Sequence, residues 1–418
     1  MLGRSGLLRV GRYSHGNVVT RCTHQPRPLR ASHRYFYNNT WKRPNLCQKQ
    51  NDTQPRASQQ LRTLFIESIP PILYPPAIFV GLLLGLWTWK CFWIIVMQNK
   101  LLYLSWLPPF SRSDKIAEYE TECKPVQWQE KQIRSLDGTK LAVCEGYIPV
   151  NDNRKSINTT KKTKSVVICY FQGNGGSTPL RLPLLSQVLR TISTMSNATS
   201  SSHNTKFTIV ALSYRGYWTS SGRATQSGIE LDAQAFLNWV SETYSSPETD
   251  LQIVLWGHSL GSSIASSALS TYLSWREAKQ STQDASLAPV AGLIMEAPTS
   301  NIKDMLISLY PQRWLPYRYL WPFSWNTWCN ATNLKRLAEW RDQNSQRAGS
   351  IPPIFILSAE NDEIVPPYLA GQLEKRGQDL GLDISRKEVT GAMHTEGPLK
   401  VDGREALVRF ILDKTSEQ

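Results

Sequence analysis

Leu251-Gln252-Ile253-Val254-Leu255-Trp256 runs directly into Gly257-His258-Ser259-Leu260-Gly261. The first six residues are apolar except for one, as expected of a short strand buried on both faces. The residues that follow, Ser262–Trp275, read as a helix. A turn this tight between strand and helix forces its middle residue into strained backbone angles. Small residues on either side relieve the crowding. Such an elbow lifts the Ser259 hydroxyl clear of the sheet and sets it at a helix N-terminus. The spacing G-x-S-x-G alone is weak, and its position between strand and helix makes it specific. The alternative is a capping serine in an ordinary strand-to-helix loop.

Working outward, the same rhythm recurs. Ser165–Phe171, Phe207–Leu212, Val290–Met295 and Ile354–Leu357 are further short apolar runs. Leu180–Thr194, Gly228–Thr243 and Glu405–Leu412 have helical apolar spacing. Short apolar strands alternating with helices predict an α/β domain over residues 115–415, its mostly parallel sheet covered on both faces. A segment of that length is ample for such a core. Residues 303–347 break the rhythm with Trp314, Trp321, Trp325, Trp328 and Trp340, and read as a cap or lid insertion.

A serine hydroxyl is a poor nucleophile unless a base takes its proton. His394 is the only histidine after Ser259, which makes it the expected base. His258, adjacent to the elbow serine, is expected to point elsewhere and to be structural. The acid should lie just past a strand between serine and base. The loop after Ile354–Leu357 offers Glu360, Asp362 and Glu363. Asp362 is preferred because it reaches back toward the strand end before Val365-Pro366 turns the chain away. An acid there fixes the imidazole tautomer and stabilises the imidazolium that forms. Two backbone donors complete the set. One is the N–H of Leu260; the other is expected near Asn174, in Phe171-Gln172-Gly173-Asn174-Gly175-Gly176. That loop matches neither GxxxxGK[ST] nor GxGxxG, so a phosphate cradle is not indicated. Arg215, in Ser213-Tyr214-Arg215-Gly216-Tyr217, is expected to hold a scaffold loop beside the site.

These stretches together resemble the α/β-hydrolase superfamily. More narrowly, they resemble membrane-anchored abhydrolase-domain serine hydrolases of the monoacylglycerol and lysophospholipid lipase branch. The matching residues are Gly173–Gly176, Ser213–Tyr217, Gly257–Gly261, Met295–Ile302, Ser358–Pro367 and His394. The resemblance implies an α/β-hydrolase fold and a catalytic Ser259-His394-Asp362 triad with an acyl-enzyme. It implies neither a metal nor an organic cofactor. Three positions depart from the family pattern: Gln172 stands where a histidine is usual, and Ala224 and Gln226 replace a usual proline and glutamate.

The chain has 418 residues and a formal charge of +14. Most of that charge lies in residues 1–60, where nine Arg and two Lys face one acid, Asp52. The folded part therefore lacks the basic footprint of a nucleic-acid binder. The seven cysteines have neither CxxC nor Cys/His spacing, so no disulfide framework or zinc site is indicated. Residues 1–60 have the Arg-rich, acid-poor composition of a mitochondrial presequence, with Arg34-Tyr35-Phe36-Tyr37 similar to a cleavage site. A disordered basic tail on a membrane protein is the other reading. Ala77–Met97 has one charge, Lys90, and at about 1.5 Å per residue spans about 31 Å, close to a bilayer's hydrocarbon thickness. A transmembrane helix over residues 72–97 is expected, with a buried core helix as the alternative. Lys90 would snorkel. The charge balance puts the N-terminus on the matrix or cytosolic side and the large domain in the intermembrane space or a lumen. The mitochondrial inner membrane is preferred over the endoplasmic reticulum membrane. The sequons at Asn38, Asn51, Asn158, Asn197 and Asn330 are near chance number and do not shift that preference. The expected molecule is a membrane-anchored serine hydrolase of lipid esters. A thioesterase or peptidase using the same three residues, or a non-catalytic interaction module, are the rivals.

Overall fold

The computed structural model describes residues 70–149, 162–198, 205–281, 287–344 and 351–416. The basic segment 1–60, its Arg34–Tyr37 site, Cys22, Cys47 and the sequons at Asn38, Asn51 and Asn158 lie outside the described residues. One sheet of eight strands organises the rest: β1 (Gln127–Arg134), β2 (Lys140–Tyr147), β3 (Thr163–Phe171), β4 (Thr205–Ser213), β5 (Thr249–His258), β6 (Val290–Glu296), β7 (Ile354–Ala359) and β8 (Ile384–Val389). Their order is β1-β2-β4-β3-β5-β6-β7-β8. β2 runs antiparallel to both its neighbours, β1 and β4, and every other pairing is parallel. This is the α/β-hydrolase fold.

The helices are α1 (Tyr74–Val96), α2 (Gln98–Leu102), α3 (Glu120–Cys123), α4 (Leu182–Ala198), α5 (Gln226–Tyr244), α6 (Leu260–Ser281), α7 (Ile302–Leu309), α8 (Asn330–Gln343), α9 (Pro367–Asp379) and α10 (Val401–Ser416). α4 and α10 cover one face of the sheet; α5 and α6 cover the other. The alternation of side chains along a strand explains how one apolar run feeds two cores. In β3, Val166, Ile168 and Tyr170 enter the core under α4 and α10, whereas Val167, Cys169 and Phe171 enter the core under α5 and α6. A run buried on both faces has no polar position to spare, which is why it reads as continuous.

β1, β8 and α9 carry no apolar run and add to the elements read from sequence. β1 (QWQEKQIR) is an edge strand with one buried residue, Ile133. β8 (ISRKEV) closes the other edge, buried only at its ends. There Arg386 pairs with Glu374 of α9 at 2.9 Å and with Glu388 at 2.7 Å. Charged edges of this kind protect a sheet from pairing with another chain.

Within residues 303–347, α8 packs against α6 and α9 as part of the body of the domain. Its seam with α6 is polar. Asn330 Nδ2 donates to Ser262 Oγ (2.8 Å) and Thr299 O (2.7 Å), and Ser266 Oγ donates to Asn330 Oδ1 (2.9 Å). The sequon at Asn330 is therefore buried and unavailable to a glycan. Asn197, at the end of α4, is exposed. The cysteines Cys91, Cys123, Cys144, Cys169 and Cys329 are free.

α1 is apolar and long enough to cross a membrane, and none of its residues is buried against the domain. Lys90 does not stand alone on it, because its Nζ lies 4.5 Å over the ring of Tyr317.

Candidate functional site

Ser259 follows the last residue of β5, with φ at +51°. That left-handed conformation costs a serine about 1–3 kcal/mol, so the surroundings must impose it. Three hydrogen bonds do so. Ser259 N–H donates to Glu296 O (2.8 Å), and Ser259 O accepts from Ser262 N–H (3.0 Å) and Ser262 Oγ (2.6 Å). The flanking glycines are required by space. A Cβ on Gly257 would stand 2.3 Å from Gly261 O, and one on Gly261 would stand 2.1 Å from Phe171 O. The G-x-S-x-G spacing thus reflects β5, α6 and the end of β3 touching backbone to backbone.

His394 lies in the turn after β8. Its Nδ1 is 2.8 Å from Asp362 Oδ2 and 2.9 Å from Oδ1. A carboxylate only accepts, so Nδ1 carries the proton and Nε2 is the free acceptor. The pair is enclosed, with side-chain exposures of 7% and 3%. Asp362 Oδ1 also accepts from the N–H groups of Ile364 (2.9 Å) and Val365 (2.7 Å), which aim it. The neighbouring acids hold the histidine's loop rather than its ring. Glu363 Oε2 accepts from His394 N–H (3.0 Å), and Glu360 Oε2 accepts from Gly391 N–H (2.8 Å). All three carboxylates of the loop are thus used, and one of them reaches the imidazole.

The elbow and the histidine turn are in contact. His258 Nε2 lies 3.4 Å from His394 O, and the two imidazole rings are 5.2 Å apart. His258 therefore sits against the turn that carries His394. Ser259 Oγ makes no hydrogen bond to any described residue, His394 included. Such contacts in ligand-free sites commonly close only on substrate binding.

Asn174, Ser259 and Leu260 line one small cleft with Thr299, Met305 and Ile364. The N–H of Leu260 is in the first turn of α6, where backbone donors have no helical partner. Asn174 is fixed through its carbonyl, which accepts from Leu104 N–H (2.8 Å) and Tyr217 Oη (2.9 Å). Gly176 N–H in turn donates to Leu107 O (2.7 Å). The segment after α2 thus holds the glycine loop from outside, a role no sequence motif marks. Gln172 Oε1 accepts from Thr178 Oγ1 (2.8 Å), while its buried Nε2 has no partner among the described residues. Arg215 is a scaffold residue, as expected: its Nη2 is 2.7 Å from fully buried Asp232 and its Nη1 is 2.7 Å from Asp137.

Behind the site lies a buried charge cluster that the sequence did not disclose. Glu296, at the end of β6, accepts from Arg181 Nη2 (2.9 Å) and Trp256 Nε1 (2.9 Å). Burial raises its carboxyl pKa, and Arg181 partly offsets that. Burial pushes the His258 pKa well below the ordinary histidine value, and Arg181 and His394 add to the effect. His258 is thus neutral in the fold.

A histidine that protonates only when unfolded destabilises the fold in acid. Below the unfolded value of about 6.5, the unfolded chain binds a proton that the native chain refuses, so stability falls as pH falls. Glu296 acts oppositely, because its raised pKa favours the fold most at low pH. The difference between wild type and His258→Gln isolates the histidine. Wild type should lose about 1.4 kcal/mol more than the variant per pH unit below about 6.5, until His258 protonates in the fold. Thermal or urea unfolding at pH 7 and pH 5 measures it, and equal losses would refute it.

No family model matches the chain. It is similar to protein bem46 of Schizosaccharomyces pombe, 24% identical over 65% of this chain and 71% of that one. It is similar to the α/β-hydrolase domain-containing protein WAV2 of Arabidopsis thaliana, 24% identical over 72% of this chain and 83% of that one. The lysophosphatidylserine lipase ABHD12 of Danio rerio is 30% identical over 40% of this chain and 38% of its own. Among solved structures, an α/β-hydrolase from Vibrio vulnificus has a TM-score of 0.49 at 15% identity, over 77% of this chain and 91% of that one.

Proposed function

From its place in the α/β-hydrolase superfamily, we propose that this chain is a membrane-anchored serine hydrolase of single-chain lipid esters, lysophospholipids or monoacylglycerols. The observation that carries the reading is the enclosed His394–Asp362 pair, its Nε2 free, on a turn that touches the elbow of Ser259. Ser259 attacks the ester carbonyl and His394 takes its proton through Nε2. Asp362 holds the imidazole in the required tautomer and stabilises the imidazolium. The N–H groups of Leu260 and Asn174 receive the charge that develops on the carbonyl oxygen. His394 then protonates the departing alcohol, and water, deprotonated by His394, releases the acyl group from Ser259.

The membrane part of the proposal rests on α1 and its surroundings. Trp314 is 67% exposed and packs on Trp87 of α1, with ring centroids 6.2 Å apart. Trp106, Trp321, Phe323 and Trp325 are exposed, and the backbones of Phe323 and Trp325 bond to Gln98, just past the end of α1. The exposed set at the end of α1 suits the lipid headgroup level, and the Trp314–Trp87 contact lies deeper along the helix. Residues 1–60 serve as the targeting segment, with the mitochondrial inner membrane as destination and the endoplasmic reticulum membrane as the alternative.

The test uses the full chain purified in detergent. It should label with a fluorophosphonate and hydrolyse lysophosphatidylserine or monoacylglycerol faster than water-soluble short-chain esters. Good turnover of short esters with neglect of both lipids would sink the substrate assignment. N-terminal sequencing of the same material from cells addresses the compartment, since a terminus near Tyr37 marks mitochondrial import and Met1 opposes it.

A further inference from the structure

An apolar cavity of about 370 Å³ lies between the end of α1 and the lid. Ile94, Ile95, Leu101 and Leu102 form its wall on the anchor side. Ile302, Met305, Leu306 and Leu309 of α7 face them. Leu102, Ile302 and Met305 also line the cleft that holds Ser259, so the two spaces share a wall. Of the polar side chains in the lining, Gln98 and Asn326 already have partners. Gln98 Oε1 accepts from Trp325 N–H (2.7 Å) and its Nε2 donates to Phe323 O (3.2 Å). Asn326 Nδ2 donates to Asn99 Oδ1 (2.8 Å), and Tyr103 Oη donates to Asn326 Oδ1 (2.7 Å). These bonds fasten the end of the anchor to the lid. Apart from Ser324 and the hydroxyls of Tyr310 and Tyr317, the rest of the lining is aliphatic or aromatic, which fits an alkyl chain.

We infer that the last turn of α1, with α2, is one wall of the acyl-chain site, so that the membrane anchor forms part of the substrate-binding surface and is more than a tether. This rests on the serine-hydrolase reading of Ser259. The ester sits at Ser259 and its chain runs past Leu102 and Met305 into the space between α1 and α7. The lid's contact with α1 at Trp87 lies about 14 Å back along the helix from Val96, at about 1.5 Å per residue. The outer end of the cavity therefore faces the bilayer, and a chain can enter from the lipid without crossing water.

Filling the cavity from the anchor side tests this. The full chain and its Ile95→Trp and Leu101→Trp variants are placed in phosphatidylcholine vesicles. Each is assayed on 4-nitrophenyl palmitate and 4-nitrophenyl butyrate. Excluding a few methylenes, at about fourfold each, should lower the palmitate-to-butyrate ratio of kcat/KM at least about tenfold. Leu86→Trp, on an exposed part of the same helix, should leave the ratio at the wild-type value. Where a tryptophan variant does not label with fluorophosphonate, Ile95→Phe and Leu101→Phe should lower the ratio about fivefold. An unmoved ratio in variants that label, or an equal fall in Leu86→Trp, overturns the inference and leaves the serine-hydrolase reading standing. Activity that survives Ser259→Ala overturns that reading instead.

Discussion

Ser259→Ala should lower hydrolysis by at least about 10⁴-fold and abolish fluorophosphonate labelling while the protein stays folded. The magnitude follows from how such sites work as a unit. Where a comparable serine is removed, kcat falls by about 10⁶, and what remains comes from oxyanion donors and binding alone. The fold should survive, because the bonds that hold the elbow run through the backbone of residue 259. Its N–H donates to Glu296 O and its carbonyl accepts from Ser262. Asp362→Asn should cost about 10⁴-fold, since an amide beside Nδ1 favours the wrong tautomer. Combining it with Ser259→Ala should add almost nothing to the loss. Circular dichroism verifies the fold and steady-state assays read the loss. Retention of more than about 1% of activity in folded Ser259→Ala would end the proposal.

The legible parts of this chain are those where local physics and global role coincide. The buried strands read as apolar runs because a central parallel strand has no solvent face. The elbow was legible because its G-x-S-x-G spacing is local, although only Gly257 is pressed within the turn and Gly261 meets Phe171 O of β3, and His394 because no other histidine follows Ser259. Less legible were features whose partners are remote in sequence. Nothing local marks Glu296 as the acceptor of Arg181 and Trp256, or Leu104 as the donor that fixes Asn174. Asn330 read as a sequon, and only the packing of α8 on α6 turns it into a buried strut beneath Ser262. Of the three carboxylates at 360–363, the place of Asp362 before Val365-Pro366 singles it out as the acid, but says nothing of what Glu360 and Glu363 hold. Their division of labour depends on where the turn after β8 passes. Charged edge strands escape an apolar-run reading because their faces are half solvent.

The contacts of the elbow give the second large effect. Gly261→Ala should leave little or no folded protein, a loss above about 4 kcal/mol, the range reserved for severe core disruption. The added methyl would stand 2.1 Å from Phe171 O and 2.5 Å from Gln172 O. Both are backbone atoms at the end of β3, the strand between β4 and β5. No rotamer change can clear them. Relief requires α6 to move off the sheet, which would open the core that Ile264, Ala265 and Leu269 share with Phe171. The same shift would draw Ser259 away from the glycine loop, so any folded remainder should fail to label. Gly391, which unlike Gly261 is at positive φ, is the control. A Cβ there meets nothing within 4 Å, and the cost of Gly391→Ala is confined to its backbone angle, about 1–2 kcal/mol. Yield of monodisperse protein, thermal unfolding and labelling compare the two. If Gly261→Ala unfolds no earlier than Gly391→Ala, the spacing around Ser259 is not set by contact between backbones. The two elbow substitutions are then distinguished by what they spare: Ser259→Ala removes the chemistry from an intact fold, and Gly261→Ala removes the fold that creates the site.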